Sequence, residues 1–143
     1  MSEDKAKQPY RGRLAPTPSG FLHLGHVHTF RTAWERSRLN KGKLIYRMDD
    51  LDPDRCTSEY AQACIDDMRG MGLSWDEGPD VGGPVTPYYQ SKRGDLYFDA
   101  LKALYELDLV YPCNKSRKEI RSAGLMDSSG IEFLYPEYFR QSS

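Results

Sequence analysis

Histidine is almost missing from this chain: three occur in 143 residues, all between positions 23 and 28. Elsewhere no imidazole is available for proton transfer or metal ligation. Cysteine is equally scarce. Cys56, Cys64 and Cys113 are odd in number and lack framework spacing, which excludes a disulfide-stapled fold and predicts reduced thiols. Long apolar runs are lacking too; none approaches the roughly 20 residues that a membrane span needs. The polar opening MSEDKAKQ has no signal-peptide core, so the expectation is a cytoplasmic protein without a membrane partner. Repeats and low-complexity blocks are also absent.

What is present suffices for a folded domain, with 38% hydrophobic and 12% aromatic residues. The net charge of −1 conceals segregation. Residues 1–47 hold ten Lys/Arg against three Asp/Glu, and residues 48–110 hold five against fourteen. A basic N-terminal third suits an anionic ligand, although solvated faces segregate charge in the same way.

Residues 1–9 read as a disordered lead-in, and residues 10–143 as one partial nucleotide-binding domain. Strands are predicted near 11–15, 43–48 and 109–113. A helix is predicted from Gly25, with Val27, Phe30 and Trp34 on one face and a stop at Asn40–Gly42. Thr57 has the character of an N-cap for a second helix, with Ala61, Ile65 and Met68 inward and Gly72 as its end. Residues 73–90 read as loop. Ser91 opens a third helix with an apolar face of Leu96 or Tyr97, Ala100, Leu101 and Leu104. Ser116 and Glu119 have capping-box spacing before a short helix ending near Gly124. Strand, helix, strand, helix, helix, strand is an α/β order, and it predicts a parallel sheet with right-handed crossover helices. Ligands in such sheets sit beyond the carboxyl ends of the strands.

The stretch PTPSGFLHLGH (16–26) falls at that place. Gly20 and Gly25 remove side chains where backbone would meet a ligand. The first helical turn offers free N–H groups and a dipole favourable to anions. His23 and His26, three apart, can bracket one phosphate, and Arg13 adds a fixed positive charge at the strand end. Two other readings of these residues stay open. One is a metal site of His23, His26 and His28, although His26 and His28 point to different sides of a helix. The other is a helix start with incidental histidines.

Three blocks, in order, carry a family resemblance: RLAPTPSGFLHLGH, YRMDDLDPDR and WDEGPDVGGPVTPYYQSKR. The first is similar to the HIGH signature of class I aminoacyl-tRNA synthetases of the glutamyl and glutaminyl branch. The second resembles that branch's R-x-E-D-x-D motif, and the form DLDPDR is most like the short glutamyl-Q tRNA(Asp) synthetases. The resemblance runs from about Tyr10 to Arg140. It implies a Rossmann-like α/β fold, specifically the N-terminal half of a class I catalytic domain. It implies ATP-dependent formation of glutamyl-adenylate and transfer of the glutamyl group to tRNA, tRNA-Asp in the glutamyl-Q branch. By that likeness His23 and His26 are catalytic, and Pro16, Gly20, His23, Gly25 and His26 face ATP with its Mg2+. Arg13, Ala15, Thr17 and Asp49 face glutamate, with Arg13 on a carboxylate and Asp49 on the ammonium.

Departures accompany the likeness. Asp49 stands for the usual glutamate and Thr17 for serine. In the branch's C-x-C…Y-x-x-x-C zinc pattern, Cys113 and Tyr135 match, but Lys115 and Phe139 replace cysteines. No zinc is therefore expected in residues 111–143. The lysine-rich KMSKS loop is lacking; the lysines of NKSRKE fit a capped helix. The chain is thus expected to be incomplete as an enzyme and to leave a sheet edge and apolar helix faces free for self-association. The alternative is a non-catalytic synthetase remnant that binds nucleotide, RNA or a protein partner.

Overall fold

The computed structural model describes residues 9–124, 126, 129–130 and 134–140. Eight of the nine lead-in residues lie outside these. Contacts divide the chain into two units, one ending at Gly94 and one beginning at Asp95.

In the first unit, β1 (Arg11–Leu14) and β2 (Lys43–Tyr46) pair in parallel, with Arg13 opposite Ile45 and Leu14 opposite Tyr46. The helix α1 (Leu24–Leu39) connects them. Parallel neighbours require such a crossover, because no tight turn can join strands that run the same way. Alternation decides the faces. Gly12, Leu14, Pro16 and Pro18 turn inward, while Arg11, Arg13 and Thr17 are exposed. Leu44, Tyr46 and Met48 are likewise buried. Along α1, Phe30 is buried, and Ala33 and Trp34 pack against the core, as the spacing predicts. α2 (Ser58–Gly70) buries Ala61, Cys64, Ile65 and Met68. Thr57 caps it by accepting from the Tyr60 N–H at 3.2 Å. Gly72, at φ +76°, follows its last turn in a conformation that side chains with a Cβ resist. Leu14, Leu44, Met48, Met68, Leu73 and Trp75 complete the core. Fully burying one such side chain contributes roughly 1.5–3 kcal/mol.

The outer edge of β2 is lined by the segment read as loop. Single parallel bridges join Ile45 to Glu77 and Met48 to Tyr89. Asp76 fixes the start of that alignment. Its N–H donates to Leu44 O at 2.8 Å, and its Oδ2 accepts from the Leu44 N–H at 2.7 Å.

The second unit begins within α3 (Gly94–Glu106), preceded by a 3-10 turn over Gln90–Arg93. The expected strand at 109–113 is a correction: these residues form no strand. Asp108 adopts φ +53°, and the Leu109 N–H returns to Leu104 O at 3.0 Å, which closes α3. The chain then runs as irregular backbone tied by side chains. Cys113 Sγ and Tyr135 Oη lie 3.0 Å apart, and Lys115 Nζ sits 5.4 Å from the Phe139 ring centre. α4 (Arg117–Ala123) carries the predicted box. Ser116 and Glu119 each bond the other's backbone N–H, and Gly124 is its C-cap.

Candidate functional site

The site begins where β1 runs out. Past Leu14 the chain keeps its parallel alignment through three carbonyls. Leu14 O accepts from the Arg47 N–H at 2.8 Å, Pro16 O from the Asp49 N–H at 2.9 Å, and Pro18 O from the Thr57 N–H at 3.3 Å. Pro16 and Pro18 are thus buried anchors whose carbonyls fix the chain beyond β2. Proline suits these places, because its preset φ and missing donor leave only an acceptor to satisfy. The structure turns Arg13 and Thr17 to the exposed side, with Ala15 half-buried in the same row, and sets Asp49 beside them through Pro16.

The histidines start α1. His23 is its N-cap, in extended backbone at φ −117° and ψ 169°. Its Nδ1 accepts from the Gly25 N–H at 3.1 Å, and His26 Nδ1 accepts from the His23 N–H at 3.4 Å. The two imidazoles form a capping box of the kind serine and glutamate usually make. Their rings stack at 3.8 Å between centres. Because Nδ1 accepts in both, each neutral ring carries its proton on Nε2, which leaves an N–H donor on each exposed ring. Glycine at 25 has a local reason. A Cβ there would lie 3.0 Å from the His23 ring, so Gly25 makes room for the cap itself. Gly20 differs, since a Cβ there would meet nothing within 4 Å. No acidic residue stands in the first turn of α1, whose N-terminal partial charge is therefore uncancelled locally.

His28 lies apart from the pair, beside Arg13, Thr29, Thr32 and Arg36 along a shallow groove. Among the described residues no three His, Cys, Asp or Glu side chains converge as metal ligands.

Asp49 is held rather than free. Arg47 grips it with two hydrogen bonds, Nε to Oδ1 at 2.6 Å and Nη2 to Oδ2 at 2.7 Å. This is the bidentate fork geometry that arginine favours with carboxylates. Sequence reading missed the partner, although i, i+2 spacing on extended backbone puts both on one face. It also missed Asp50, which accepts from the Ser91 backbone at 2.9 Å and hydroxyl at 2.5 Å. Glu77 was missed as well. It is 2% exposed, and its Oε2 accepts from Arg11 and from the Tyr88 hydroxyl, each at 3.1 Å.

Residues 10–128 match the family described as tRNA synthetases class I (E and Q), catalytic domain. The chain belongs to this family. It is 48% identical over 127 residues to a glutamyl-Q tRNA(Asp) synthetase of Nitratidesulfovibrio vulgaris, covering 88% of this chain and 39% of that protein. It is 50% identical over 109 residues to one of Symbiobacterium thermophilum, covering 76% and 34%. Among solved structures, a glutamate tRNA ligase from Elizabethkingia meningosepticum, in complex with its amino acid, aligns with a TM-score of 0.76 at 29% identity. That alignment covers 94% of this chain and 27% of the ligase. The chain thus spans about two fifths or less of the length of these relatives. Its β1–α1–β2 unit is Rossmann-like α/β, as in this synthetase family. No helix among the described residues is long and apolar enough to cross a membrane.

Proposed function

We propose that this chain is the substrate-facing N-terminal part of a glutamate-activating synthetase, with ATP at the start of α1 and glutamate on the open side of β1. The observation that carries this reading is the stacked His23–His26 pair, with Nδ1 atoms turned to backbone and Nε2–H donors turned out. Two donors over an uncancelled helix N-terminus suit ATP phosphates. Pro16, Gly20 and Gly25 provide close backbone at that end. Arg13 takes a glutamate carboxylate, Asp49 the ammonium, and Thr17 with Ala15 bounds the pocket.

In this reading a glutamate carboxylate oxygen attacks the α-phosphorus of ATP. The bond from the α-phosphorus to the α,β-bridging oxygen breaks, and pyrophosphate leaves with the electron pair. His23 and His26 donate hydrogen bonds to phosphate oxygens as their charge grows, while Arg13 and Asp49 hold the attacking carboxylate in line. Mg2+ would arrive with ATP, held by phosphate oxygens and water. The acceptor class is tRNA, and the likeness to glutamyl-Q tRNA(Asp) synthetases favours tRNA-Asp. Zinc has no part in it, because the Lys115 ammonium and the Phe139 ring make poor company for a divalent cation. A cytoplasmic setting fits these substrates.

A second reading is a non-catalytic remnant that works by association. The exposed apolar side chains of α3, Phe98, Leu101 and Tyr105 among them, favour self-association or a protein partner.

Glutamate-dependent ATP–pyrophosphate exchange by the purified chain tests the first reading. The expected result is slow exchange, about a hundredfold or more below a full-length relative, because no lysine-rich loop is present to stabilise phosphate charge. Arg13→Ala should abolish what remains. Exchange that ignores glutamate, or survives Arg13→Ala, contradicts the assignment.

A further inference from the structure

The apolar side of α3 is hollowed along one flank. At the end of the helix Asp108 adopts φ +53°, and the N–H groups of Asp108 and Leu109 return to Tyr105 O and Leu104 O, each at 3.0 Å. Beyond this turn, Val110, Tyr111 and Pro112 stand opposite Phe98, Leu101 and Tyr105, and the two rows line one open groove of about 480 Å3. That volume falls within the roughly 300–1,000 Å3 typical of small-molecule sites. The α3 row is spaced i, i+3, i+7, so the floor follows the helix for about 10 Å. The groove belongs wholly to the second unit and shares no residue with the ATP and glutamate reading, on which it does not depend.

No carboxylate lines this groove; its one charged residue is Lys102. A lysine stem packs along apolar surface while its ammonium stays in water at the rim. The Arg140 guanidinium lies 5.4 Å from the ring centre of Tyr111, in the opposite row. Asp99 and Glu106 stand three before and four after Lys102 on α3, within helical reach of it. Even so, neither Lys102 nor Arg140 forms an ion pair with a described residue. An elongated apolar floor under two uncompensated cations fits an alkyl body with one anionic head, and it repels a cationic head. We propose that the groove binds a medium-chain fatty carboxylate, with the chain along Phe98, Leu101 and Tyr105 and the carboxylate at the rim, toward Lys102 and Arg140. Burial of the alkyl chain supplies most of the affinity. The exposed charge pairs contribute little and decide the sign of the head group.

Titration of the whole 15N-labelled chain with decanoate and with decyltrimethylammonium, both below micelle formation, tests this. Decanoate should saturate, should shift amides of residues 94–112 most, and should bind about fivefold more tightly than the cationic amphiphile. High salt should shrink that preference. Phe98→Ser should weaken both ligands by about tenfold. Lys102→Gln/Arg140→Gln should erase the preference and leave the cationic amphiphile bound no more weakly than in wild type. These side chains are exposed, and the double variant carries the test if Phe98→Ser misfolds. The proposal is overturned by absent saturable decanoate binding, by shifts centred outside residues 94–112, or by equal affinity for the two head groups in wild type. Decanoate binding unchanged in either variant overturns it too. Phosphatidylglycerol vesicles that bind the chain through the same residues, where free decanoate does not, would replace the fatty carboxylate with a lipid surface and equally overturn it.

Discussion

Two helices of this chain carry apolar residues at the same spacing and meet opposite fates. In α2, Ala61, Cys64, Ile65 and Met68 recur on one face and all are buried. In α3, Tyr97, Ala100, Leu101 and Leu104 recur in the same way, and none is buried. The period of a sequence states that a helix has an apolar side. Whether anything covers that side is a tertiary fact that the period does not contain. The difference sorts the molecule into a first unit with a closed core and a second unit whose apolar side chains remain available.

The contrast is broken most directly by truncating one residue from each face. Met68→Ala should cost roughly 2–5 kcal/mol in urea unfolding, as a fully buried methionine leaves a cavity. Leu101→Ala, at a side chain 52% exposed, should cost less than about 1 kcal/mol. Equal losses would mean that α3 is covered in solution by a second copy, and the Leu101→Ala loss would then grow with protein concentration.

A smaller effect belongs to the α2 cap. Thr57→Ala removes the acceptor for the Tyr60 N–H and should cost about 1 kcal/mol. Thr57→Asp should restore most of it, since aspartate accepts the same bond at a favourable helix end. An unchanged midpoint in Thr57→Ala would show that the cap is not needed once the α2 face is buried.

Smaller still is a dependence on alkaline pH. Burial first, and nearby Asp67 second, push the Cys64 thiol up to about 11. A thiol that keeps its proton longer when folded stabilises the fold below its unfolded value, and that contribution is lost as pH rises toward about 11. Tyr46 is raised by burial too and acts in the same direction. Unfolding free energy should fall across this window, with a shallower slope in Cys64→Ala. An identical slope would remove Cys64 as a contributor.

The least disruptive comparison is chemical. The exposed Cys113 thiol is held below the usual range, chiefly by its hydrogen bond with Tyr135 and then by the Lys115 backbone N–H. A lowered thiol is more often thiolate, the reactive form. Alkylation near neutral pH should therefore modify Cys113 before Cys64, and Tyr135→Phe should slow Cys113 without altering stability. Cys64 reacting first would contradict the closed core of the first unit.

The fold was legible where local chemistry decides it. Thr57, the Ser116–Glu119 box, the apolar face of α1 and the break after α2 all follow from rules acting within one or two turns. The parallel β1–β2 pair followed from the strand–helix–strand order. The strand at 109–113 was misread because a short apolar run shows extended tendency but no partner. The backbone there closes α3 through Leu104 instead, and the edge of β2 is lined by Glu77 and Tyr89. The motif nominates candidate site residues, but it does not give their part in one another's geometry. An imidazole as N-cap runs against the usual preference for Ser, Thr, Asp and Asn. The Arg47–Asp49 fork and the buried Glu77 depend on side-chain placement, which spacing alone does not fix.

The central claim is that the His23–His26 pair at the start of α1 receives ATP phosphates through Nε2. Calorimetric titration with ATP of wild type and of a His23→Asn/His26→Ala variant tests it most directly. Asparagine keeps an N-cap acceptor for the Gly25 N–H, so the helix start survives while the outward imidazole donors are lost. The account predicts ATP affinity reduced by about tenfold or more, with unchanged helix content. Equal ATP affinity in both proteins would contradict it and return the histidines to a purely capping role.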